Sequence, residues 1–598
     1  MFGGHPPIAG DRHGSYSRVV LALSVAATAT AAGALAATNP RPVFVDRAVE
    51  LGVDFVHDNG MTGELYFAEH MGGSVALLDF DRDGDLDLYL GQGHRLAPPA
   101  AGAAASGTSG EPALGDRLYR NNLDTGKFHF TDITDDSGLD AHGYAMGIAV
   151  GDIDNDGDPD LYILNLGANE LWRNDSDAGG PRFTRISGGS SADPRWSAAA
   201  SFFDLDADGL LDLFVGNYVE FRVALHKPCT SPQGILDYCG PNSYPAEANR
   251  VLRNRGGGAF EDWTSRLGLS DLKRPTLGTV TSDFNGDGLA DIYVANDQTP
   301  NSLLLNRDGA ALVDDAVMAG AALSASGQPQ ASMGVLAGDF NGDGLVDLFM
   351  THLHRETNTL YLNTGDGYWD DTTRTSGLGR PSFTYTGFGA AALDYDLDGV
   401  LDIYVANGSA ERIEEQFRAG EALPLRQRNQ LFRGLGNGRF EEVVDFEQPP
   451  VSEVSRGLAR GDLDNDGDPD LVVANNNGPV RILINEGTPE GRQWVGVDLR
   501  FPGTLEAASG HRALGSWVGV LEGGEAEPRR LRRFHTDGSY ASANDPRALV
   551  VVANESPTLV VAWPDGEQES FHLKDVGRYV TVIRGGGTLF SPKQNSEP

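Results

Sequence analysis

One nine-residue phrase occurs seven times in this chain, with acidic or amide side chains at positions one, three, five and nine and glycine at six. The first copy is Asp79-Phe80-Asp81-Arg82-Asp83-Gly84-Asp85-Leu86-Asp87. The oxygen-bearing positions are Asp79, Asp81, Asp83 and Asp87, then Asp152, Asp154, Asp156 and Asp160, then Asp204, Asp206, Asp208 and Asp212. Next come Asp283, Asn285, Asp287 and Asp291, and Asp339, Asn341, Asp343 and Asp347. The last two sets are Asp394, Asp396, Asp398 and Asp402, and Asp462, Asp464, Asp466 and Asp470. Short apolar runs flank each copy, so each reads as a loop between two strands.

The spacing has a chemical reason. An alternating Asp-x-Asp-x-Asp run turns every second carboxylate toward one centre, and calcium takes about six to eight such oxygens. Glycine at six permits the tight reversal. A backbone carbonyl near seven and the carboxylate at nine then close the shell. Without a cation, two carboxylates about 4 Å apart repel by roughly 4 kcal/mol at an effective dielectric near 20. One such stretch alone reads as an Asp-Gly surface turn; seven in register predict calcium as cofactor, about seven ions. Asn285 and Asn341 lower the charge of the fourth and fifth loops, which predicts weaker binding there.

Composition fits that demand. The chain has 85 acidic and 46 basic residues, a formal net charge of -39. The key positions of the seven loops hold 26 carboxylates, of which seven calcium ions would cancel 14 charges. The acidity reads as metal demand and argues against nucleic acid as a partner. With 77 glycines among 598 residues and few long periodic apolar stretches, the chain reads as many short strands and tight turns.

At the N-terminus, Arg12 and Arg18 precede an alanine-rich apolar run from Val19 to Ala37. It reads as an export signal cleaved near Ala36 or Ala37, with an uncleaved anchor as the alternative. No other stretch suits a membrane. The protein is therefore expected to be secreted or periplasmic, where Cys229 and Cys239, ten positions apart, would form a disulfide.

The repeat is larger than its loop. Second strands ending in asparagine or glycine follow, among them Leu118-Tyr119-Arg120-Asn121, Leu171-Trp172-Arg173-Asn174 and Leu431-Phe432-Arg433-Gly434, and then an aromatic-x-Asp strand such as Phe260-Glu261-Asp262. Units of four strands repeated radially make a β-propeller. The seventh unit lacks its last strand, whereas Phe44-Val45-Asp46-Arg47-Ala48 at the other end has that strand's pattern, which predicts a ring closed by the N-terminal strand. The fold expected is all-β: a seven-bladed β-propeller with calcium loops plus a small C-terminal β-sandwich or barrel. Residues 1–37 are the signal, 41–488 the propeller, 492–590 the β module and 591–598 a tail.

The loops and their linking segments resemble the FG-GAP/VCBS repeats of integrin alpha-subunit propellers. Closer still, Glu69-His70-Met71-Gly72-Gly73, Cys239-Gly240-Pro241, Ala295-Asn296-Asp297, Thr351-His352 with Glu356-Thr357-Asn358, and Trp563-Pro564-Asp565-Gly566 resemble the cartilage acidic protein family and its bacterial ASPIC/UnbV relatives. The resemblance covers about residues 43 to 590. Val550-Val551-Val552 departs from the family's Phe-Gly-Leu-Gly stretch and implies a repacked module core. The resemblance to matrix-associated and integrin-like proteins implies adhesion.

Catalytic constellations are sparse. His352, His354 and Glu356 would share one side if their segment were a strand; His57 and His70 are further candidates. A hydrogen-bonding role fits them better than catalysis, and no residue is assigned as catalytic. Arg460-Gly461-Asp462 has the form of an adhesion tripeptide, but Asp462 opens the seventh metal loop. Arg529-Arg530-Leu531-Arg532-Arg533 suits an anion, an acidic glycan or the propeller's own face, or is a strand edge protected by charge. The favoured function is an exported calcium-binding propeller that acts as a binding or adhesion module for extracellular glycan or protein. The alternatives are an extracellular enzyme acting on polysaccharide near one mouth of the central channel, or an accessory protein of secondary-metabolite biosynthesis of the enediyne type, which the UnbV resemblance implies.

Overall fold

Seven sheets carry the seven nine-residue loops, each loop joining the first strand of its sheet to the second; their four blade strands are antiparallel, and the first and seventh sheets each gain a short parallel strand, Ser542–Ala543 and Glu447–Gln448. In the first, Ser74–Leu78 leads through the loop to Asp87–Gly91, then Arg117–Asn121 and Phe130–Asp132. The later sheets begin at Ala145, Ser197, Thr276, Val335, Gly387 and Ser455. These coordinates are a computed structural model that describes residues 43–96, 115–177, 179–231, 234–488, 491–503, 510–522 and 527–590. The expected export signal over 1–37 and the tail over 591–598 lie outside the described residues. Among the described residues, no helix is long and apolar enough to cross a membrane.

The sheets are the blades of a β-propeller. Their first strands neighbour one another in ring order, and crowding at the axis demands small residues. A side chain at Gly147 would place its Cβ 2.8 Å from the Ala198 carbonyl oxygen, and one at Gly334 only 2.1 Å from that of Phe388. The asparagine that ends each third strand staples neighbouring blades. Asn174 Nδ2 donates to the Phe80 carbonyl of the preceding blade at 2.8 Å, Asn254 to Ile153 and Asn306 to Leu205 likewise. Asn121 of the first blade reaches Leu463 of the seventh at 2.9 Å, which closes the circle. In the sixth blade Gly434 takes this place, where a Cβ would meet the Leu401 carbonyl at 2.3 Å. The outer strand of the seventh blade comes from the N-terminal end: Phe44–Asp46 pairs antiparallel with Arg481–Asn485, Phe44 opposite Asn485.

Beyond the propeller, one sheet of Trp494–Arg500, Ala548–Val551 and Arg578–Ile583 faces another built from Trp517–Leu521, Arg529–Arg533, Thr558–Ala562 and Gln568–His572. Val495, Val497, Val518, Phe534, Val561 and Trp563 form their shared core, and Val550 and Val552 belong to it.

The propeller axis is filled from both ends. Residues 536–544 leave the C-terminal sheets and bond to the inner strands of several blades. Thr536 Oγ1 donates to Val150 O at 2.8 Å, Asp537 Oδ2 accepts from Thr281 N at 2.7 Å, and Ser539 N donates to Val335 O at 2.8 Å. The hydroxyl of buried Tyr540 reaches Met71 O at 2.9 Å, and its ring lies 5.0 Å from that of Phe388. From the other end Phe67 stacks on Tyr244 at 5.6 Å and meets Trp196 and Tyr218 edge-on or tilted. Tyr238 lies within the loop that the Cys229–Cys239 disulfide closes, 4.3 Å from the His70 ring, and Tyr244 follows just after it.

Candidate metal loops and the face they share with the C-terminal module

Each position of the loop has its own job. Position nine opens the second strand, and all seven of these aspartates are 1% exposed or less. Asp87 Oδ2 accepts from the Phe80 N–H at 3.0 Å and Oδ1 from the Asn121 N–H at 2.9 Å, which splices the loop to the third strand. Asp160, Asp212, Asp291, Asp347, Asp402 and Asp470 repeat the pair. Position one ties the turn: Asp152 accepts from the Asp156 and Gly157 N–H groups at 3.2 and 2.9 Å, and Asp204, Asp283, Asp339, Asp394 and Asp462 behave alike. Position five accepts from the N–H at seven, as Asp83 does from Asp85 at 3.0 Å and as Asp156, Asp208, Asp287, Asp343, Asp398 and Asp466 do.

Position three is different. The Oδ1 atoms of Asp81, Asp154, Asp206 and Asp396 are buried and accept no hydrogen bond. In those four loops, oxygens from positions one, three and nine lie within 4.8 Å of one another, which is about twice a calcium–oxygen distance of 2.4 Å. The donor set is all oxygen and suits calcium. Burial, the largest cause, and neighbouring carboxylates push the loop aspartates upward in pKa: Asp152, Asp212 and Asp462 to about 7, Asp347 to about 8, Asp204 and Asp394 to about 6. A bound cation favours the ionised forms instead. In the fourth and fifth loops the amide oxygens of Asn285 and Asn341 accept from the Asp287 and Asp343 N–H groups at 2.9 Å.

Two features of the loops escape the sequence reading. Position four is left-handed in every copy, at φ values from 49° at Leu397 to 80° at Gly342, so the loop reverses there as well as at glycine six. The other is an arginine, one residue before the third-strand asparagine or glycine, that lies across the loop. Arg120 reaches Asp81 and Asp83 at 2.7 and 2.8 Å, Arg253 reaches Asp206 and Asp208 at 2.7 and 2.5 Å, and Arg433 reaches Asp396 and Asp398 at 3.1 Å each. Arg173 stands further off, 3.9 Å from Asp154. Each guanidinium takes the Oδ2 atom at position three and leaves Oδ1 to the centre. The fourth and fifth blades have Leu305 and Leu362 here, and they are the blades with Asn285 and Asn341. The signal was the arginine before the third-strand asparagine or glycine, present in four of the five blades with aspartate at position three; the seventh blade has Ile484 there beside Asp464.

The FG-GAP-like repeat description matches residues 152–215, 234–294, 283–350, 339–405 and 422–473, and the ASPIC and UnbV description matches residues 506–589. The chain belongs to the proteins that join FG-GAP-like repeats to an ASPIC and UnbV domain. Cartilage acidic protein 1 of Homo sapiens is 24% identical over 464 residues, 72% of this chain and 61% of that protein. Its counterpart in Xenopus tropicalis is 24% identical over 339 residues, 45% of this chain and 49% of that protein. The chain thus spans about half to three-fifths of the length of these curated relatives. Among solved structures, an Agrocybe aegerita lectin that recognises non-reducing terminal N-acetylglucosamine is 16% identical, with TM-score 0.37 over 62% of this chain and 89% of its own. The rhamnogalacturonan lyase YesW is 11% identical, with TM-score 0.35 over 70% of this chain and 72% of its own. Likeness at that level says nothing of what this chain binds.

The ASPIC and UnbV module sits on the first, sixth and seventh FG-GAP loops. Arg532 Nη2 donates to Asp394 Oδ2 at 3.0 Å, Arg512 stands 3.8 Å from Asp79 Oδ2, and Tyr579 OH donates to Asp462 Oδ2 at 2.8 Å. Buried Arg547 donates to Gly84 O at 2.9 Å and to Asn465 Oδ1 at 3.2 Å. Of the docking surfaces considered for the basic stretch, Arg532 and Arg533 therefore meet the propeller's own face; Arg533 bonds Thr281 O and Asp537. Asp462 is 1% exposed, so the Arg-Gly-Asp tripeptide is not offered to a receptor.

The histidine candidates do not converge. The segment after Met350 is a turn rather than the strand that would align them. His352 is buried with Nε2 3.0 Å from Thr359 Oγ1, and burial lowers its pKa to about 3. His354 turns to Glu411 at 3.6 Å, and Glu356 accepts from Ala331 N at 2.9 Å. His57 and His70 lie inside near Arg456, with burial first and that guanidinium also lowering them, His57 to about 4. Arg456 itself is fully buried without a carboxylate, bonded to the carbonyls of His70, Gly408, Ser409 and Ser455 and 3.9 Å over the Phe388 ring.

Proposed function

We propose that this chain is an exported, calcium-loaded propeller that acts as a binding or adhesion module for an extracellular glycan or protein. The observation that carries the metal half is the set of buried, unpartnered Oδ1 atoms at position three, gathered with the oxygens of positions one and nine. Asp81, Asp154, Asp206 and Asp396 would hold the ion with their partners at one, five and nine, and the other three loops would do so with the same positions. Calcium bound there supplies charge neutralisation and a rigid loop. The protein's own groups supply the rest: the backbone amides fix the carboxylates, and arginines or leucines tune the charge. Binding rather than catalysis is favoured because the axis is packed with aromatic side chains, His57, His70 and His352 are buried, and the candidates are separate. The disulfide and the relatives named cartilage acidic protein support an extracellular setting.

The test combines metal analysis with ligand capture. Equilibrium dialysis should find about seven calcium ions per chain, and chelation should lower the melting temperature, since each site held at about 100 times its dissociation constant adds roughly 2.7 kcal/mol. Asp152→Ala should lose more stability than Asn285→Ala. Capture on glycan and matrix-protein arrays should need calcium and survive His352→Ala. An unchanged melt in excess chelator would remove the structural role of the metal, and turnover that collapses with His352→Ala would replace a binding module with an enzyme.

A further inference from the structure

Neighbouring metal loops hold one another. Asn465, at position four of the seventh loop, donates from Nδ2 to Asp85 Oδ1 of the first at 2.8 Å. Arg82, at position four of the first, stands with Nε 2.7 Å from Asp158 Oδ1 of the second. Asn155, at position four of the second, donates to Gly209 O of the third at 2.8 Å. Each grip falls where a bound ion would feel it. Asp85 and Asp158 occupy position seven, where the backbone carbonyl would close the calcium shell, and Gly209 occupies position six beside it. Both aspartates are 5% exposed, so their carboxylates need a partner, and the preceding loop supplies one. Arg547 of the module clasps the first of these links as well, through Gly84 O and Asn465 Oδ1. The series ends at the third loop. Position four is Ala207, Gly286, Gly342 and Leu397 in the third to sixth loops, and none of these side chains can donate.

We infer that Asn465, Arg82 and Asn155 are positioning residues that couple calcium binding along the seventh, first, second and third loops, while the fourth, fifth and sixth bind independently. The inference rests on the reading of the loops as calcium sites and adds how those sites act on one another. An ion that fixes one loop fixes its position-four side chain, which holds the next loop at position seven or six. The next loop then has less ordering left to do when its own ion arrives. Equilibrium dialysis of the full chain against buffered free calcium, with far-UV circular dichroism at every point, tests this. About four of the ions should bind along a steep limb with a Hill slope of about 2 or more, and the others along a shallow one. Asn465→Ala and Arg82→Met should each flatten the steep limb and raise its half-saturating calcium about fivefold or more, with the total bound at saturation unchanged. Asn285→Ala should act on the shallow limb alone. A merely structural role for Asn465 and Arg82 would lower the melting temperature and leave the slope as it is. Several ions bound with no steep limb, or variants that keep the wild-type slope, overturn the coupling and leave the calcium reading intact. No bound calcium overturns that reading itself. A steep limb that coincides with loss of the native spectrum reports folding and also overturns the coupling.

Discussion

Replacing Arg547 by methionine should loosen the C-terminal module from the metal loops beneath it. Arg547 is 5% exposed and Asp545 2% exposed. Arg547 Nε donates to the two Asp545 oxygens at 3.1 and 2.9 Å, Nη1 bonds Gly84 O in the first loop and Asn465 in the seventh, and the guanidinium lies 4.2 Å over the Tyr579 ring. Burial by itself lowers the guanidinium pKa, but Asp545 and its neighbours outweigh burial and raise it, so Arg547 keeps its charge inside the protein. Removing one partner of a buried pair strands the other and costs about 3–5 kcal/mol. Adding Asp545→Asn removes the stranded charge while keeping an acceptor for the residue 547 backbone N–H, which Asp545 Oδ1 now takes at 3.0 Å. The double variant should therefore recover half or more of the loss. Urea unfolding of the calcium-saturated chain reads both quantities, with the slope compared to check that cooperativity is unchanged. A single variant within about 1 kcal/mol of wild type, or a double variant no better than the single, refutes the view that this pair carries the docking.

Three further outcomes are expected. Metal-free protein should lose stability as pH rises, because burial and like charges lift Asp212 and Asp291 to about 7 and Asp347 to about 8. With folded values above an unfolded value near 3.9, their contribution is complete below about pH 4 and gone above about pH 8; a chelated melt that climbs from pH 5 to 8 contradicts this. Arg253→Leu, which copies the fourth blade's side chain into the third, should cost metal-free protein about 1 kcal/mol for each half-exposed ion pair lost. Asp206→Asn should restore part of that loss, and melting curves in chelator that show no restoration break the link between arginine and the charge at position three. Phe44→Ala should cost about 3–5 kcal/mol, since Phe44 is fully buried and packs edge-on to Tyr404 at 5.9 Å. A loss below about 1 kcal/mol in urea unfolding would show that the ring does not depend on its N-terminal strand.

The loop pattern was legible because it is local. A nine-residue stretch carries its own ligand spacing and its own turn, so Asp79 to Asp87 and its copies could be read without neighbours. Position four carried a partial signal: Asn155, Gly286, Gly342 and Asn465 are residue types that favour left-handed backbone, whereas Arg82, Ala207 and Leu397, which also hold it, are not. The condition for His352, His354 and Glu356 to share one side was a strand, and the chain turns there instead, while His352 and Glu356 take hydrogen-bonding roles of the kind the sequence reading favoured.

By itself the sequence determined the repeat, the strand order within a blade and the oxygen positions, since each depends on residues close together in the chain. Tertiary structure alone decided what the asparagines, the arginines and the module do. Asn121 bonds Leu463, Arg547 bonds Gly84, and Tyr540 reaches Met71. Those partners lie hundreds of positions apart, and only closure of the ring brings them within hydrogen-bond reach. The same closure packs the axis and seats the module on the first, sixth and seventh loops, because buried polar groups such as Arg547 and Tyr579 must find partners.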